Sequence, residues 1–297
     1  VFHWADYLVL VLVIVFSLGI GVYYAFTSGN SLESYLLGNR KLRLIPTALS
    51  LMVSLTASGT LLGLTAEMNY GGSMFWLGCV GTVLGIIFAE RFFVTVLYPL
   101  KLVSAYEYLE LRFKSKMARQ TAMITMSITM VTVNGLTLYG PSLVLKIATG
   151  LPIWASILIL SALATIYTTV VSGIKAVVWA DTFQFLIIFI GLIVAIVMGC
   201  MEVGGITKVW ALCRYWGRIQ SPDFDPDPRT RHTFWGLTLG LMGQSLAMYG
   251  PLQTSVQRYS SLPTINRARF CRITYLMYLG EFQVSRGFFW QQSYPQH

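Results

Sequence analysis

The chain has 297 residues, of which 55% are hydrophobic and only 11% are charged, and its mean hydropathy is +0.64. Soluble proteins carry roughly 25% charged residues, so this composition excludes a cytosolic enzyme, a disordered chain and a disulfide scaffold. The net charge of +9 would suggest a nucleic-acid partner in a soluble protein. In so apolar a chain it is better explained by basic loops beside a membrane, so we expect a lipid bilayer as partner and no nucleic acid.

Seven apolar blocks follow one another along the chain. A helix needs about 20 predominantly apolar residues to cross a bilayer, and helices satisfy their own backbone hydrogen bonds there. The sequence therefore predicts an all-α, polytopic membrane helix bundle. Residues 1–272 form the predicted transmembrane core, and residues 273–297 form a divergent, polar tail. The predicted spans are residues 6–26, 46–66, 74–97, 117–145, 153–171, 181–201 and 234–255.

The distribution of positive charge predicts the orientation of the bundle. The loops that follow the first, third, fifth and seventh spans hold thirteen lysines and arginines, Arg258 among them. The short alternate loops hold only Lys146. Because short cytoplasmic loops are enriched in basic residues, we expect an extracellular N-terminus.

Two spans contain residues that favour an interrupted helix. In the second span, small hydroxyl residues surround Gly59, and in the seventh, Gly250 precedes Pro251. Proline removes a hydrogen-bond donor, and a broken helix offers carbonyl oxygens to sodium and helix ends to an anion. Ordinary helix packing through small residues is the alternative interpretation. Four spans separate the two, as an inverted five-plus-five repeat requires.

Asp181 stands at the predicted start of the sixth span, and two interpretations remain open. An aspartate is a good helix N-cap at a membrane edge. Alternatively, Asp181 and Gln184 are three residues apart and lie on one helix face. They would then form an oxygen-lined step beside a cytoplasmic exit.

Other functional classes find less support in the sequence. All three histidines lie outside the predicted spans, and no serine-hydrolase, Walker A or zinc-protease motif is present, so we do not expect an enzyme. Seven spans also suggest a receptor, but the Asp-Arg-Tyr and Asn-Pro-x-x-Tyr motifs are missing. Asp223, Asp225 and Asp227 in the longest loop suggest either a calcium site without the EF-hand glycine and glutamate or a plain outer loop.

Five motifs in order resemble the sodium/solute symporter family, in particular its iodide, monocarboxylate and multivitamin branch. The motifs lie at residues 104–113, 140–141, 175–184, 224–235 and 249–259, and the resemblance extends over residues 4–269. It implies a leucine-transporter-type inverted-repeat fold and sodium-coupled symport of a small organic anion, a vitamin or an inorganic anion across the plasma membrane.

The resemblance also implies a role for individual residues. The positions that match the family's sodium site and sodium exit path are Val53, Ser54, Thr56, Asp181 and Gln184, and those that match its substrate cavity are Thr60, Tyr249 and Gln253. Leu252 stands where the family usually has asparagine, and Thr60 is a variable position in the branch. These two positions bear on substrate identity.

The end of the chain departs from the family pattern after about Cys271. The family continues into further spans, and its eighth core helix supplies hydroxyl ligands to sodium. We therefore expect an incomplete, C-terminally truncated symporter that cannot complete this sodium site. The alternative is a truncated isoform that does not transport but associates with a full-length symporter, and homo-oligomerisation stays open as well.

Overall fold

A computed structural model of the protein describes residues 4–27, 31–55, 58–170, 173–227 and 229–269. The described residues form helices and no strands. In chain order the helices are α1 (Trp4–Thr27), α2 (Leu32–Leu37), α3 (Leu44–Leu55), α4 (Ser58–Gly71), α5 (Gly78–Ala89), α6 (Thr95–Leu97), α7 (Ala105–Phe113), α8 (Lys116–Thr149), α9 (Ile153–Val170), α10 (Ile174–Val203), α11 (Ile206–Tyr215), α12 (Phe234–Tyr249) and α13 (Gln253–Ser260).

Four of these helical segments are long and apolar enough to cross a membrane: Tyr7–Tyr24, Ser73–Leu97, Lys116–Ile147 and Ile174–Val203. The segment Ser73–Leu97 begins with a 3₁₀ turn before α5 and passes through a π-helical turn, Glu90–Val94, before α6. Shorter apolar helices cover Leu44–Ser54 and Ile153–Thr169. A helix therefore covers at least part of each of the seven predicted spans.

The start of the sixth span differs from the sequence-based expectation. Helix α10 begins at Ile174, after Gly173 with a φ of +83°, so Asp181 is the eighth residue of the helix. The interpretation of Asp181 as an N-cap is therefore wrong. A buried aspartate inside a helix requires a partner that compensates its charge, and Asp181 has such a partner, as described below.

The interruption predicted in the seventh span is confirmed. Helix α12 ends at Tyr249 and α13 begins at Gln253. Pro251 has no amide hydrogen to continue the helix, and the carbonyl of Leu252 accepts from the amides of Ser255 and Val256, both at 2.9 Å, to start a new one.

The second predicted interruption lies where the description of the chain is incomplete. Helix α3 ends at Leu55 and α4 begins at Ser58, and residues 56–57 lie outside the described part. Gly59, around which the break was expected, lies within α4. The predicted polar tail, residues 273–297, also lies outside the described residues.

Small residues bring α5 and α12 into close contact. Gly81 and Gly85 face the backbone of α12: a Cβ atom on Gly81 would stand 2.1 Å from the carbonyl oxygen of Thr238, and one on Gly85 would stand 2.4 Å from that of Met242. Glycines four residues apart lie on one helix face and allow two backbones to approach. This contact holds the outer half of the broken span in place.

The basic loops lie at one end of the bundle, which we call the basic side, and the opposite end is the outer side. Helix α2 follows a span that ends at the basic side, and α7 connects a span that ends there to one that begins there. Helix α13 follows α12 in a span that also ends there, so all three helices lie at the basic side. A buried apolar cluster joins α7 and α13 there to the bundle. Its members include Val94, Leu97, Val178, Val256, Tyr259 and Leu262.

Candidate functional site

A buried ion pair joins α10 to α13. The Nη2 atom of Arg258 lies 3.1 Å from Oδ2 of Asp181. Asp181 is 9% exposed and Arg258 is 7% exposed, so water reaches neither charge freely. A charge in the membrane interior is costly without a partner. Each of these residues supplies the opposite charge that allows the other to be buried.

Two serines of α3 complete this cluster. Ser50 Oγ donates to Asp181 Oδ2 at 2.6 Å and accepts from Arg258 Nε at 2.9 Å. Ser54 Oγ donates to Asp181 Oδ2 at 3.3 Å and accepts from Arg258 Nη2. Ser50 and Ser54 lie four residues apart and therefore on one face of α3. We refer to Ser50, Ser54, Asp181 and Arg258 as the charge cluster.

The charge cluster lies within the bundle, toward its basic side. Asp181 is about 10 Å along α10 from the first residue of that helix, at a rise of about 1.5 Å per residue. Arg258 comes from the half-helix that follows the break, and its Nη1 also donates to the carbonyl of Thr254 at 3.2 Å. Three helices thus converge on one carboxylate and two hydroxyl groups, which are ligands of the kind that hard cations prefer.

The predicted sodium-path residues have different positions in the structure. Ser54 and Asp181 belong to the charge cluster. Val53 is half-buried against the apolar cluster that contains Met52 and Tyr249. The Nε2 atom of Gln184 donates to the hydroxyl of Tyr167 at 3.3 Å, so this amide points to α9. Thr56 lies outside the described residues.

Two of the predicted substrate-cavity residues, Tyr249 and Gln253, contact different parts of the chain. Tyr249 is buried at the end of α12, and its apolar neighbours include Met52 and Phe185. Gln253 uses both ends of its amide on the chain before α7: Oε1 accepts from the Ala105 amide at 2.8 Å, and Nε2 donates to the Val103 carbonyl at 3.0 Å. Thr60 lies in α4, and its side chain is not among those described.

Ser50 was not among the predicted site residues, and the expectation that Arg258 lies in a basic loop is wrong. Arg258 lies in α13, buried, and 77 residues separate it from Asp181. The signal that could have found it is chemical: an aspartate within a predicted membrane helix requires a cationic or hydrogen-bonding partner. Ser50 could have been found from its spacing of one helical turn before Ser54.

The aspartates of the outer loop do not converge on one point. The Oδ1 atoms of Asp223, Asp225 and Asp227 each accept from the backbone amide two residues on, at 2.9, 3.0 and 2.9 Å. Each carboxylate thus caps its own turn. Across the described residues, no group of three acidic, cysteine or histidine side chains could hold a metal ion.

A second ionic cluster fixes this loop to the outer end of α4. Glu67 accepts from Arg231 Nη2 at 2.6 and 2.9 Å, and Nε2 of His232 lies 2.7 Å from Glu67 Oε1. Of the ion pairs between residues that the structure describes, only Asp181–Arg258 has both partners buried.

Comparison with known proteins gives the context of this geometry. The model of the sodium:solute symporter family matches residues 35–294. The sodium-dependent multivitamin transporter of Oryctolagus cuniculus is 41% identical over 266 residues, which are 89% of this chain and 41% of that protein. The sodium/iodide cotransporter of Homo sapiens is 38% identical over 267 residues, or 89% of this chain and 41% of that protein.

A third relative and a solved structure agree with these matches. The sodium-coupled monocarboxylate transporter 2 of Danio rerio is 36% identical over 281 residues, or 94% of this chain and 44% of that protein. A Na⁺-coupled sialic acid symporter has the same fold, with a TM-score of 0.82 at 23% identity over 97% of this chain and 60% of that chain. The chain thus spans about two-fifths of the length of these curated relatives.

These matches confirm the predicted all-α, leucine-transporter-type fold. They also confirm the expectation that the chain is not an enzyme, because its relatives are sodium-coupled transporters. The family model covers most of the chain, in agreement with the resemblance found in the five sequence motifs. The chain belongs to the sodium:solute symporter family.

Proposed function

We propose that this chain takes part in sodium-coupled symport of a small solute across the plasma membrane, and that Asp181 lies on the sodium path. The single observation that carries the proposal is the buried carboxylate of Asp181, held between two hydroxyl groups and one guanidinium beside a broken helix. A carboxylate that served only to cap a helix would not need this arrangement.

Arg258 has a definite role in this proposal. In the structure its guanidinium is the cation that neutralises Asp181. A sodium ion that reaches the carboxylate competes with the guanidinium for the same oxygen atoms. Sodium binding and release at Asp181 are therefore coupled to the position of α13, which carries Arg258.

The coupling energy is sufficient for concentrative uptake. One charge that moves down a membrane potential of 100 mV releases about 2.3 kcal/mol. Because each 1.36 kcal/mol is a factor of ten, one sodium ion supports roughly fiftyfold accumulation of a neutral solute.

For the solute we propose only a chemical class. The relatives' names refer to vitamins, iodide and monocarboxylates, and we propose a small organic anion, a vitamin or an inorganic anion. Thr60 and Tyr249 remain our proposed cavity residues. Gln253 enters the cavity only when its hydrogen bonds to Val103 and Ala105 break.

Sodium binding tests the role of Asp181 directly. In the purified chain in lipid nanodiscs, we expect bound ²²Na⁺ to be displaced by NaCl and not by choline chloride at equal ionic strength. Asp181→Asn should abolish this displaceable binding, whereas Asp225→Asn, the same change in the outer loop, should preserve it. If the two variants bind sodium equally, Asp181 is not on the sodium path.

A second candidate function concerns the 297-residue chain itself. We also propose that the chain associates with a longer symporter without transporting by itself. In proteoliposomes the chain alone should then give no sodium-dependent uptake, and it should co-purify with a co-expressed longer symporter. Sodium-dependent uptake by the chain alone would refute this second proposal and support the first.

A further inference from the structure

Helix α13 and the turn that follows it form hydrogen bonds to two stretches of chain at the basic side, residues 36–42 and residues 98–105. Two arginines take part: Arg258 joins the charge cluster, and Arg40 Nη1 donates to the Ser260 carbonyl at 3.4 Å. The other connections are uncharged. Gln253 bonds to the chain before α7, and Gln257 Nε2 donates to the Leu36 carbonyl of α2 at 2.7 Å. The hydroxyl of Tyr98 donates to the Leu262 carbonyl at 2.9 Å, and the Leu42 amide donates to the Ser261 carbonyl at 3.3 Å.

Gln253 completes the N-terminus of α7. The first amides of a helix have no acceptor within the helix. Oε1 of Gln253 accepts from the amide of Ala105, the first residue of α7, and the Ser104 hydroxyl accepts from the next amide, that of Tyr106, at 3.3 Å. The capping of α7 therefore depends on a side chain from α13.

Gln257 does the same for the C-terminus of α2. The last carbonyls of a helix also lack partners within the helix. Leu36 is the last residue but one of α2, and its carbonyl accepts from Gln257. Gln253 and Gln257 lie one turn apart on one face of α13, so one rigid half-helix caps two helices of the basic side.

The break between α12 and α13 gives this half-helix a possible axis of movement. No α-helical hydrogen bond can pass through Pro251. The Ser255 hydroxyl, which donates to the Met248 carbonyl at 2.9 Å, bridges the break. Helix α13 can therefore tilt relative to α12 once its contacts at the basic side are released.

We propose that Gln253 and Gln257 are positioning residues that form a clasp, in which α13 holds α2 and α7 against the basic side and closes the passage to the charge cluster. The inference rests on the proposed function, in which this passage is the route by which sodium leaves the charge cluster. Release of sodium toward the basic side then requires these amide hydrogen bonds to open together with the Asp181–Arg258 pair.

Local hydrogen exchange tests the two arms of the clasp separately. In nanodiscs, Gln253→Met should accelerate amide exchange in α7 by about three- to tenfold, as expected for the loss of a modest hydrogen bond, and leave α2 unchanged. Gln257→Met should accelerate exchange in α2 and leave α7 unchanged, so each variant is the control for the other. Gln220→Met, in the outer loop, should change neither helix.

A second readout separates a gate from a merely structural contact. In a Val53→Cys background, a water-soluble thiol reagent should modify Cys at position 53 faster when Gln253→Met or Gln257→Met is present, as measured by peptide mass spectrometry. Gln253→Glu keeps the acceptor for Ala105 and loses the donor to Val103, so it should give an intermediate rate. Unchanged modification rates, or exchange that rises equally in α1, would overturn the clasp.

The two proposals fail in different ways. Loss of the clasp appears in exchange and labelling rates without any sodium in the buffer. An unchanged exchange rate would reject the clasp and leave the ²²Na⁺ result for Asp181 intact. If the chain binds no sodium but the Gln253 and Gln257 variants accelerate exchange as expected, the sodium path alone is rejected.

Discussion

At the scale of single residues, the stability of the charge cluster depends on the pairing of Asp181 with Arg258. Both side chains are buried, and the pair shares hydrogen bonds with Ser50 and Ser54. Removing one partner of a buried ion pair leaves the other charge without compensation, which costs about 3–5 kcal/mol. Replacing both by apolar residues of similar volume costs far less.

We therefore predict strong coupling between the two positions. Asp181→Leu and Arg258→Met should each lower the apparent free energy of unfolding in an SDS titration by about 3–5 kcal/mol. The double variant should lose less than the sum of the two single losses. Additive losses would show that the two side chains do not interact in the folded chain.

The residue scale also shows where the sequence was informative. Asp181 and Ser54 were both singled out because a polar residue within an apolar span is conspicuous, and Asp181 also lies in one of the five family motifs. Arg258 resembled any loop arginine, because the need of Asp181 for a partner does not indicate which arginine supplies it. Ser50 is 208 residues from Arg258 along the chain, and only the tertiary structure brings them together.

At the scale of helices, the break at Gly250 determines the position of α13. A Cβ atom on Gly250 would lie 2.6 Å from the Leu246 carbonyl oxygen and 2.6 Å from the Phe93 ring, so the neighbouring backbone leaves no space for a side chain. Gly240, within α12, has no neighbouring atom within 4 Å of the equivalent point.

These two glycines provide a matched test of the break. Gly250→Ala should destabilise the chain by about 1–3 kcal/mol through overpacking. Gly240→Ala should be neutral or stabilise it by up to about 1 kcal/mol, because alanine is the better helix former. Thermal unfolding in detergent measures both. Equal melting temperatures for the two variants would contradict the close packing at Gly250.

The helix scale explains one success and one error of the sequence-based expectation. The break in the seventh span was predictable because Pro251 lacks an amide hydrogen and follows Gly250, although proline alone is not sufficient, since α8 continues through Pro141. The start of α10 was not predictable from the sequence, because an acidic residue at the boundary of a span is typical of a helix N-cap. A distant arginine neutralises Asp181, and the helix continues through it from Ile174.

At the scale of the whole molecule, the fold agrees with the apolar composition. Helices α1, α8 and α9 expose many large apolar side chains, among them Leu12, Ile128 and Ile166. Such a surface is unfavourable in water and suits the hydrocarbon region of a bilayer. The all-helical fold could be predicted from the apolar blocks alone, whereas the close approach of α5 to α12 depends on glycine contacts that hydropathy does not report.

Orientation is a prediction for the molecule as a whole. With the N-terminus outside, Lys116 at the start of α8 faces the cytoplasm and Lys208 in α11 faces the exterior. A membrane-impermeant maleimide should label Lys208→Cys in intact cells and Lys116→Cys only after permeabilisation, as read by peptide mapping. The reverse pattern would invert the orientation and contradict the assignment of the basic side to the cytoplasm.

The central claim is that Arg258 and sodium compete for Asp181, and a comparison of sodium affinities tests it most directly. Arg258→Gln removes the competing charge and keeps an amide that can bond to Ser50 and Ser54. Titration of ²²Na⁺ into nanodisc-embedded chains should rank the affinities as Arg258→Gln above wild type and wild type above Asp181→Asn. An Arg258→Gln chain that is folded yet binds sodium no more tightly than wild type would contradict the claim.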